Sequence, residues 1–174
     1  MRIKGYDLND LADFAREKLP DSWKGIFEDA GLPARAKANG WYPLEAFCQV
    51  LESLEQRLGT GSYGSVAIEY GRYSARKEAE GAHRLLFVFA SPFFLLKRAN
   101  AFWGFYHDFG TVIIIPETDN SARFCLVRCG ELPRIYPYDI IGWVEGALTL
   151  AGSENPKVEF LGVLEEGYCF RAQW

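Results

Sequence analysis

The sequence predicts an α+β domain in which N-terminal helices precede a four-stranded antiparallel sheet, with the C-terminal elements in the order β-β-α-β-β. Apolar residues recur at helical spacing through most of the first seventy positions. Two apolar runs at 109–116 and 123–129 flank a cluster of turn residues, which is typical of a hairpin. The last stretch, 138–174, has the pattern of one helix followed by a second hairpin. A chain of 174 residues fits a single domain over 1–174.

Three helices are predicted in the first sixty residues. Asp7 is suited to cap the first, because its carboxylate can accept hydrogen bonds from free first-turn amides, and this helix ends before Pro20. A second short helix covers 23–30, and the connection after it is predicted to be a loop. Pro43 is suited to the first position of the third helix, which ends at Gly59.

A glycine-rich segment, GTGSYGS at 59–65, precedes a fourth helix that begins at Val66 and runs into the seventies. Glycines before a helix can let backbone amides approach a phosphate. No strand precedes this segment and no Lys-Ser/Thr pair follows it, so it matches neither a P-loop nor a dinucleotide fingerprint. The sequence favours a plain flexible loop here, and the charged residues 76–80 are predicted to turn the chain.

The middle of the chain is strongly apolar and aromatic. Residues 85–90 and 93–106 are predicted helices on either side of Ser91-Pro92, with a strand as the alternative for 85–90. The predicted strand at 109–116 contains three isoleucines, and the predicted strand at 123–129 returns antiparallel to it.

The C-terminal segment begins at Asp139, which is suited to cap a helix whose apolar face runs to Ala151. Strands follow at 157–165 and 168–174, with Glu166-Gly167 as the turn between them. Aromatic residues alternate along the last strand, so it should be buried and should pair with an earlier strand.

Composition excludes several classes of function. The net charge is −4 and the basic residues are scattered, so no footprint for nucleic acid or an anionic membrane is present. No apolar run is long enough to cross a bilayer, and acidic residues occupy the N-terminus where a signal peptide would need an apolar run. The chain is therefore predicted to be cytoplasmic, without membrane insertion.

The four cysteines form no Cys-x-x-Cys pair and are predicted to be reduced thiols. Cys125 and Cys129 are predicted on one strand, too far apart to bridge. Only two histidines, His83 and His107, accompany them, so no metal site is predicted.

Two segments carry a resemblance to a known family. IKGYDLNDLADFAREKLPDSWKGIFEDAGLP resembles the start of haem–nitric-oxide/oxygen-binding (H-NOX) domains, and IIGWVEGALTLAGSENPKVEFLGVLEEGYCFRAQW resembles the ends of H-NOX relatives. The second segment also resembles vinyl-reductase-type ligand-binding domains and a myxobacterial haem-NO-binding-like group. These domains share a fold with small TRAPP subunits, so the resemblance implies an H-NOX/TRAPP-like fold over most of the chain.

The resemblance also defines where haem contacts would lie. H-NOX domains use a proximal histidine in the helix before the first hairpin and a Tyr-x-Ser-x-Arg clamp for the propionates. If Arg128 is the clamp arginine, the other two positions hold Phe124 and Leu126, and His107 comes several residues late for the proximal ligand. Likewise, only Cys169 could match the zinc cysteines of the vinyl-reductase-type domains. The prediction is therefore no cofactor and no metal, with haem disfavoured.

The predicted function is a non-enzymatic signalling or regulatory module that senses a small hydrophobic molecule or acts as a protein-interaction scaffold. The resemblance implies a pocket between the helix before the first hairpin and the sheet, with mainly apolar walls. The predicted site residues are Phe93, Phe94, Trp103, Tyr106, His107 and Arg128. A signalling or scaffold protein partner and a possible homodimer complete this hypothesis.

Two alternatives stay open. One is a haem-based sensor of NO or O2 with altered ligation, and the other is a scaffold whose cavity is filled by its own aromatic side chains. No Ser/His/Asp or Cys/His spacing suggests an enzyme. The adjacent His107 and Asp108 would point in opposite directions on an extended chain, so a simply hydrogen-bonded histidine is the plainer interpretation.

Overall fold

The structure is a computed structural model that describes residues 1–80 and 91–174. The helices are α1 (Gly5–Lys18), α2 (Trp23–Asp29), α3 (Leu44–Leu58), α4 (Ser65–Glu80), α5 (Pro92–Tyr106) and α6 (Tyr136–Leu150). The strands are β1 (Arg2–Lys4), β2 (Trp41–Pro43), β3 (Thr111–Thr118), β4 (Ser121–Val127), β5 (Lys157–Leu164) and β6 (Gly167–Gln173). The helix predicted at 85–90 lies outside the described residues.

The four-stranded sheet has the order β3-β4-β6-β5 with antiparallel neighbours. Phe124, Phe170 and Phe160 are register partners on β4, β6 and β5, and Phe124 and Phe170 stack on the inner face. The predicted α+β class and the β-β-α-β-β order are confirmed, and the last strand is indeed a buried central strand.

The turn between β5 and β6 differs from the prediction by one residue. Leu164 pairs with Gly167, so Glu165 and Glu166 form the turn instead of Glu166 and Gly167. Gly167 has φ 127°, and an added Cβ there would lie 2.4 Å from the carbonyl oxygen of Leu126. A glycine is therefore required at 167 for two reasons: the backbone has a positive φ there, and it lies too close to β4 for any side chain.

A second, two-stranded sheet of β1 and β2 was not predicted, because three-residue strands are too short to show an alternating pattern. Its first strand also reaches the end of α5. Ile3 forms an isolated bridge with His107, and Asp108 accepts hydrogen bonds from the backbone amide and side chain of Arg2 at 2.7 and 2.6 Å. The N-terminus thereby fixes the residues that close the cavity described below.

Asp7 and Asp139 are not helix caps, which corrects two predictions. α1 starts at Gly5, whose amide donates to the carbonyl oxygen of Gly40, so a loop carbonyl performs the capping. α6 starts at Tyr136, three residues before Asp139. Both aspartates consequently lie inside the first turn. The predicted turn at 76–80 is also wrong, because α4 continues to Glu80.

Helices α4 and α6 cross with their backbones in contact at two glycines. A Cβ added at Gly71 would lie 2.3 Å from the carbonyl oxygen of Asp139, and one added at Gly142 would lie 2.1 Å from that of Ile68. No side chain fits at such distances, so this crossing fixes how the two helices present their polar residues to the interior.

Cys125 and Cys169 form a disulfide, so the prediction of reduced thiols is wrong for this pair. They are opposed in the register of β4 and β6, although 44 residues separate them in sequence. β4 ends at Val127, so Cys129 is not on the strand; it and Cys48 are buried free thiols. Disulfides persist chiefly in oxidising compartments, so this bond does not support the predicted cytoplasmic location. That location stays a prediction.

No helix among residues 1–80 and 91–174 has the length and apolar character needed to cross a membrane.

Candidate ligand-binding site

A cavity lies between the helices α4, α5 and α6 and the inner face of the sheet, with the N-terminal residues at one side. The cavity volume is about 110 Å³, counted as the space that the centre of a water molecule can occupy. On the same measure one water needs only ~10–15 Å³. The wall is mainly apolar and aromatic. Its aromatic residues are Phe47, Tyr70, Phe102, Trp103, Tyr106, Phe124, Tyr136, Trp143 and Phe170.

Three of the six predicted site residues, Trp103, Tyr106 and His107, lie in this wall. Phe93, Phe94 and Arg128 do not. Phe93 and Phe94 lie beside Lys97 and Arg98 instead, with Phe94 40% exposed. Arg128 follows the end of β4 with an exposed side chain and a left-handed φ of 55°. A ligand-contacting role for any of the six stays a prediction.

The helical period explains which residues of α5 face inward. The wall takes Leu95, Leu96 and Ala99 and then Phe102, Trp103 and Tyr106 from this helix. These positions repeat every three or four residues, which places them on one face. Phe93 and Phe94 belong to the same apolar run but not to the same stripe.

His107 is enclosed by aromatic rings. Its ring stacks on Trp103 with 3.7 Å between centroids, and the rings of Phe109 and Tyr136 meet it edge-on. Nδ1 lies 3.1 Å from the carbonyl oxygen of Trp103, and Nε2 contacts the hydroxyl of Tyr136. A carbonyl only accepts, so Nδ1 carries the hydrogen and Nε2 accepts from Tyr136.

Burial lowers the pKa of His107 to about 3, which outweighs the opposite effects of the Trp103 carbonyl and Asp108. The imidazole is therefore neutral at physiological pH. Both of its ring nitrogens are already engaged, so it serves as a wall residue with its lone pair committed to Tyr136.

Three carboxyl groups were missed by the sequence prediction as site residues: Asp7 on α1, Glu78 on α4 and Asp139 on α6, all in the cavity wall. Asp7 and Asp139 keep some accessible surface because they border the cavity. Among the described residues of the wall there is no lysine or arginine to pair with them.

The pKa values of these acids are raised, mainly by burial. Burial raises the pKa of Asp139 to about 8 and that of Glu78 to about 8. The pKa of Asp7 is raised well above its usual range by burial and then by the charges of Glu78, Asp139 and Asp10. Each acid therefore favours its protonated form near neutral pH when nothing cationic is beside it.

Glu78 is the most completely buried of the three, with 8% of its surface exposed. Its Oε1 accepts a hydrogen bond from the indole Nε1 of Trp143 at 3.1 Å. The Tyr106 hydroxyl lies near this carboxyl group and acts on its pKa, but Oε2 itself has no partner at normal hydrogen-bond geometry in the part of the chain that the structure describes. Such an atom is unusual in a folded protein and calls for a physical explanation.

One sequence signal could have revealed Glu78. Tyr70, Ser74 and Glu78 follow one another at intervals of four, so polar groups repeat on a single helical face. That face is the buried one, which the sequence alone does not say. The charges around Glu78 favoured a solvated turn instead.

The glycine-rich segment at 59–65 does hold an anion, but it is a carboxylate of this chain. Glu55 of α3 is buried and accepts hydrogen bonds from the backbone amides of Gly64 and Val66 at 2.9 and 2.8 Å. The Ser65 hydroxyl and the Ala67 amide donate to it as well. Because Glu55 occupies the start of α4, no phosphate site is left there.

The described residues of the wall do not fit haem. An axial histidine must direct a free nitrogen at the iron, whereas Nε2 of His107 is engaged by Tyr136. The positions of the propionate clamp hold Phe124 and Leu126, both buried apolar residues. The described polar residues of the wall include three acids and no lysine or arginine, so they offer the propionates no cationic partner. Among the described residues, no group of three His, Cys, Asp or Glu side chains is close enough to hold a metal ion.

Several solved structures are similar to this chain in fold. An H-NOX protein from K. algicida, in its unliganded Fe(II) state, is 15% identical with a TM-score of 0.74 over 97% of this chain and 94% of that one. An H-NOX triple mutant from S. oneidensis in an Fe(II) state is 13% identical with a TM-score of 0.76, over 98% and 95% of the two chains.

An oxygen-binding H-NOX domain related to soluble guanylate cyclases, in its oxygen complex, is 13% identical with a TM-score of 0.72 over 98% and 94% of the two chains. No protein-family model matches the sequence, and no curated protein sequence matches it. At these identities the likeness concerns the backbone and not the ligands. The chain has the fold of H-NOX domains.

Proposed function

We propose that this protein is a non-enzymatic sensory or regulatory module that binds a small, largely apolar molecule in the cavity between α5 and the sheet. The observation that supports this proposal is the aromatic cavity itself, enclosed by three helices of an H-NOX fold. Apolar walls with a few polar groups are typical of small-molecule sites. The bound state would reach a signalling or scaffold partner through the surface of the same domain.

A variant pair tests whether the cavity holds a ligand. Ala99→Trp on α5 would fill the cavity, whereas Ala101→Trp would place the same ring on the exposed side of the same helix. Native mass spectrometry and thermal shift with neutral aromatics such as benzyl alcohol should show binding by the wild type and by Ala101→Trp. Binding that survives Ala99→Trp would contradict the proposal.

The second candidate is a haem-based gas sensor, and the comparisons support it better than they support a haem-free module. The neighbouring structures are described with Fe(II), bound oxygen or haem distortion. Against it stand the engaged His107 and the acidic wall. An absorbance titration with haem separates the two candidates, because iron ligation by a histidine gives a strong Soret band.

For the wild type we expect no such band. A Soret band that changes in His107→Ala would establish the haem sensor and remove the haem-free proposal. The homodimer is likewise a proposal, and light scattering during gel filtration tests it: a monomer mass at every concentration would remove it.

A further inference from the structure

The three carboxyl groups of the cavity are the feature that the proposed function leaves unexplained. They come from three different helices, α1, α4 and α6, and they face one mainly apolar space. The described wall contains no basic side chain that could balance them. Buried carboxyl groups are normally paired, so their gathering here without a cation needs a reason.

Glu78 supplies the second, independent observation. Nine-tenths of its surface is buried, one oxygen accepts from Trp143 at 3.1 Å, and the other oxygen has no partner among the described residues. A carboxylate oxygen left in this state lacks the donor that water would have given it. A donor that enters the cavity would supply that missing contact.

We infer that the cavity takes a small organic cation, such as an alkylammonium or arylalkylammonium ion, with its charged nitrogen at Oε2 of Glu78. This inference rests on the proposed function and adds the chemical class of the ligand. Asp7 and Asp139 flank the same space and complete an acidic side of the wall.

The wall suits an organic cation better than a metal ion. No three acidic or histidine side chains among the described residues converge closely enough for a metal. Instead they border a space of about 110 Å³. Aromatic residues such as Tyr70, Trp103 and Trp143 form much of the remaining wall, and ring faces attract cations while also packing against hydrocarbon.

An anionic ligand is disfavoured by the same groups. A fatty acid or another carboxylate would enter beside Asp7, Glu78 and Asp139 without a basic partner in the described wall. Like charges that share a buried site force one of them to take up a proton. A neutral ligand is compatible with the apolar wall, but it reaches Oε2 of Glu78 only through a polar group of its own and gives the ionised carboxylate no opposite charge.

Cation binding should depend on pH. With the cavity empty, Glu78 favours its protonated form at neutral pH, and it must lose that proton to pair with an ammonium group. The titratable groups that interact with Glu78 are Asp7 and Asp10 of α1, Tyr106 of α5 and Asp139 of α6. Because most of them are acids, raising the pH increases the negative charge that a cation can meet.

The experiment uses three matched probes on the full chain: benzylammonium, benzyl alcohol and benzoate. They share a ring and differ in charge. The phenyl ring lowers the pKa of a benzylic amine below the lysine value of about 10.4, but this pKa stays above 8.5, so most of the first probe is charged from pH 6 to pH 8.5. Isothermal titration calorimetry and thermal shift at both pH values should rank benzylammonium first, with its affinity higher at pH 8.5.

Two isosteric variants locate the charge. Glu78→Gln keeps an acceptor for Trp143 but removes the carboxylate, and we expect at least about a tenfold loss of benzylammonium affinity. Benzyl alcohol binding should change little. Glu80→Gln is the matched control, because Glu80 is exposed on the same helix. Circular dichroism confirms that each variant is folded.

The outcomes distinguish the inference from the proposed function. Equal binding of benzylammonium and benzyl alcohol, or an unchanged amine affinity in Glu78→Gln, would overturn the cation assignment and leave cavity binding intact. Preferential binding of benzoate would overturn it as well. If none of the three probes bound, both the inference and the small-ligand proposal would fail.

Discussion

Two glutamates on neighbouring helices have the same burial and opposite surroundings. Glu55 on α3 and Glu78 on α4 are each 8% exposed. Glu55 accepts from three backbone amides and one hydroxyl at the start of α4. Glu78 accepts from the indole of Trp143 and lies near the hydroxyl of Tyr106, and its Oε2 has no described partner at normal hydrogen-bond geometry. The carboxylate of Glu55 is fully engaged within the fold, whereas the carboxylate of Glu78 can still accept a hydrogen bond from a ligand.

Burial alone therefore does not mark a functional residue. A buried charge whose acceptor sites are filled stabilises the fold, because its donors would otherwise be unsatisfied too. A buried acid with an unfilled site reduces stability unless it is protonated or meets a ligand. The number of hydrogen-bond donors around each carboxylate, and not its exposed fraction, distinguishes the surroundings of Glu55 from those of Glu78.

The largest expected effect is for Glu55→Ala. It would leave the amides of Gly64 and Val66 without their acceptor and remove the anion at the start of α4. We expect a loss of roughly 3–4 kcal/mol in the free energy of unfolding, measured by urea denaturation. Gln56→Ala, at the exposed neighbouring position, is the control. A loss below about 1 kcal/mol would show that water replaces the carboxylate.

Glu78→Gln should raise the free energy of unfolding, whereas Glu55→Ala lowers it, and the size of this gain should depend on pH. The pKa of Glu78 rises from 4.5 to about 8 on folding, so the folded state binds its proton more tightly. The stabilisation that this proton provides is complete below about pH 4.5 and is lost as the pH rises to about 8.

Relative to the wild type, Glu78→Gln should therefore gain roughly 2–3 kcal/mol in the free energy of unfolding between pH 5 and pH 7. Urea denaturation of both proteins at each pH measures this difference. Parallel pH profiles for the two proteins would contradict the assignment of a raised pKa to Glu78. Glu80→Gln should show no such divergence.

A smaller effect is expected for Tyr136→Phe. The substitution removes the hydroxyl that Nε2 of His107 accepts from and leaves that nitrogen without its donor in an aromatic enclosure. A buried neutral acceptor without a partner costs about 1–2 kcal/mol, which chemical denaturation would detect. Tyr138→Phe in the same helix turn is the control, and equal effects of the two would show that the His107 contact contributes nothing.

The smallest effect is expected at a carboxylate on the surface. Glu69 pairs with Lys18 at 2.5 Å, but the side chains are 51% and 38% exposed. Solvent and salt weaken such a pair, so Glu69→Gln should change the free energy of unfolding by less than about 0.5 kcal/mol. A loss comparable to that of Glu55→Ala would mean that partner number fails to rank these carboxylates.

Local pattern was sufficient for most of the fold. A pattern of only a few residues was enough to predict three features: the isoleucine run of β3, the turn after it and the alternating aromatic residues of β6. The Cys125–Cys169 pair depends on the register of β4 against β6, over 44 residues, which no local pattern encodes.

The acidic side of the cavity was beyond prediction for the same reason. Asp7 and Asp139 precede apolar helical stretches, which is the position where capping residues are expected. In α1 the carbonyl of a loop residue takes the place of the cap, and α6 begins three residues before Asp139. Only the tertiary structure decides both outcomes. The partners of Glu55 lie 9 to 12 residues away, whereas the partner of Glu78 lies 65 away.

The sheet order has a consequence for how the chain can fold during synthesis. β6 lies between β4 and β5, so the first hairpin and β5 share no ladder until residues 167–173 have arrived. While the chain is still growing from the ribosome, the inner face of β4, with Phe124, has no β6 beside it. The helices can form earlier, but closure of the cavity must wait for nearly all of these 174 residues to leave the exit tunnel.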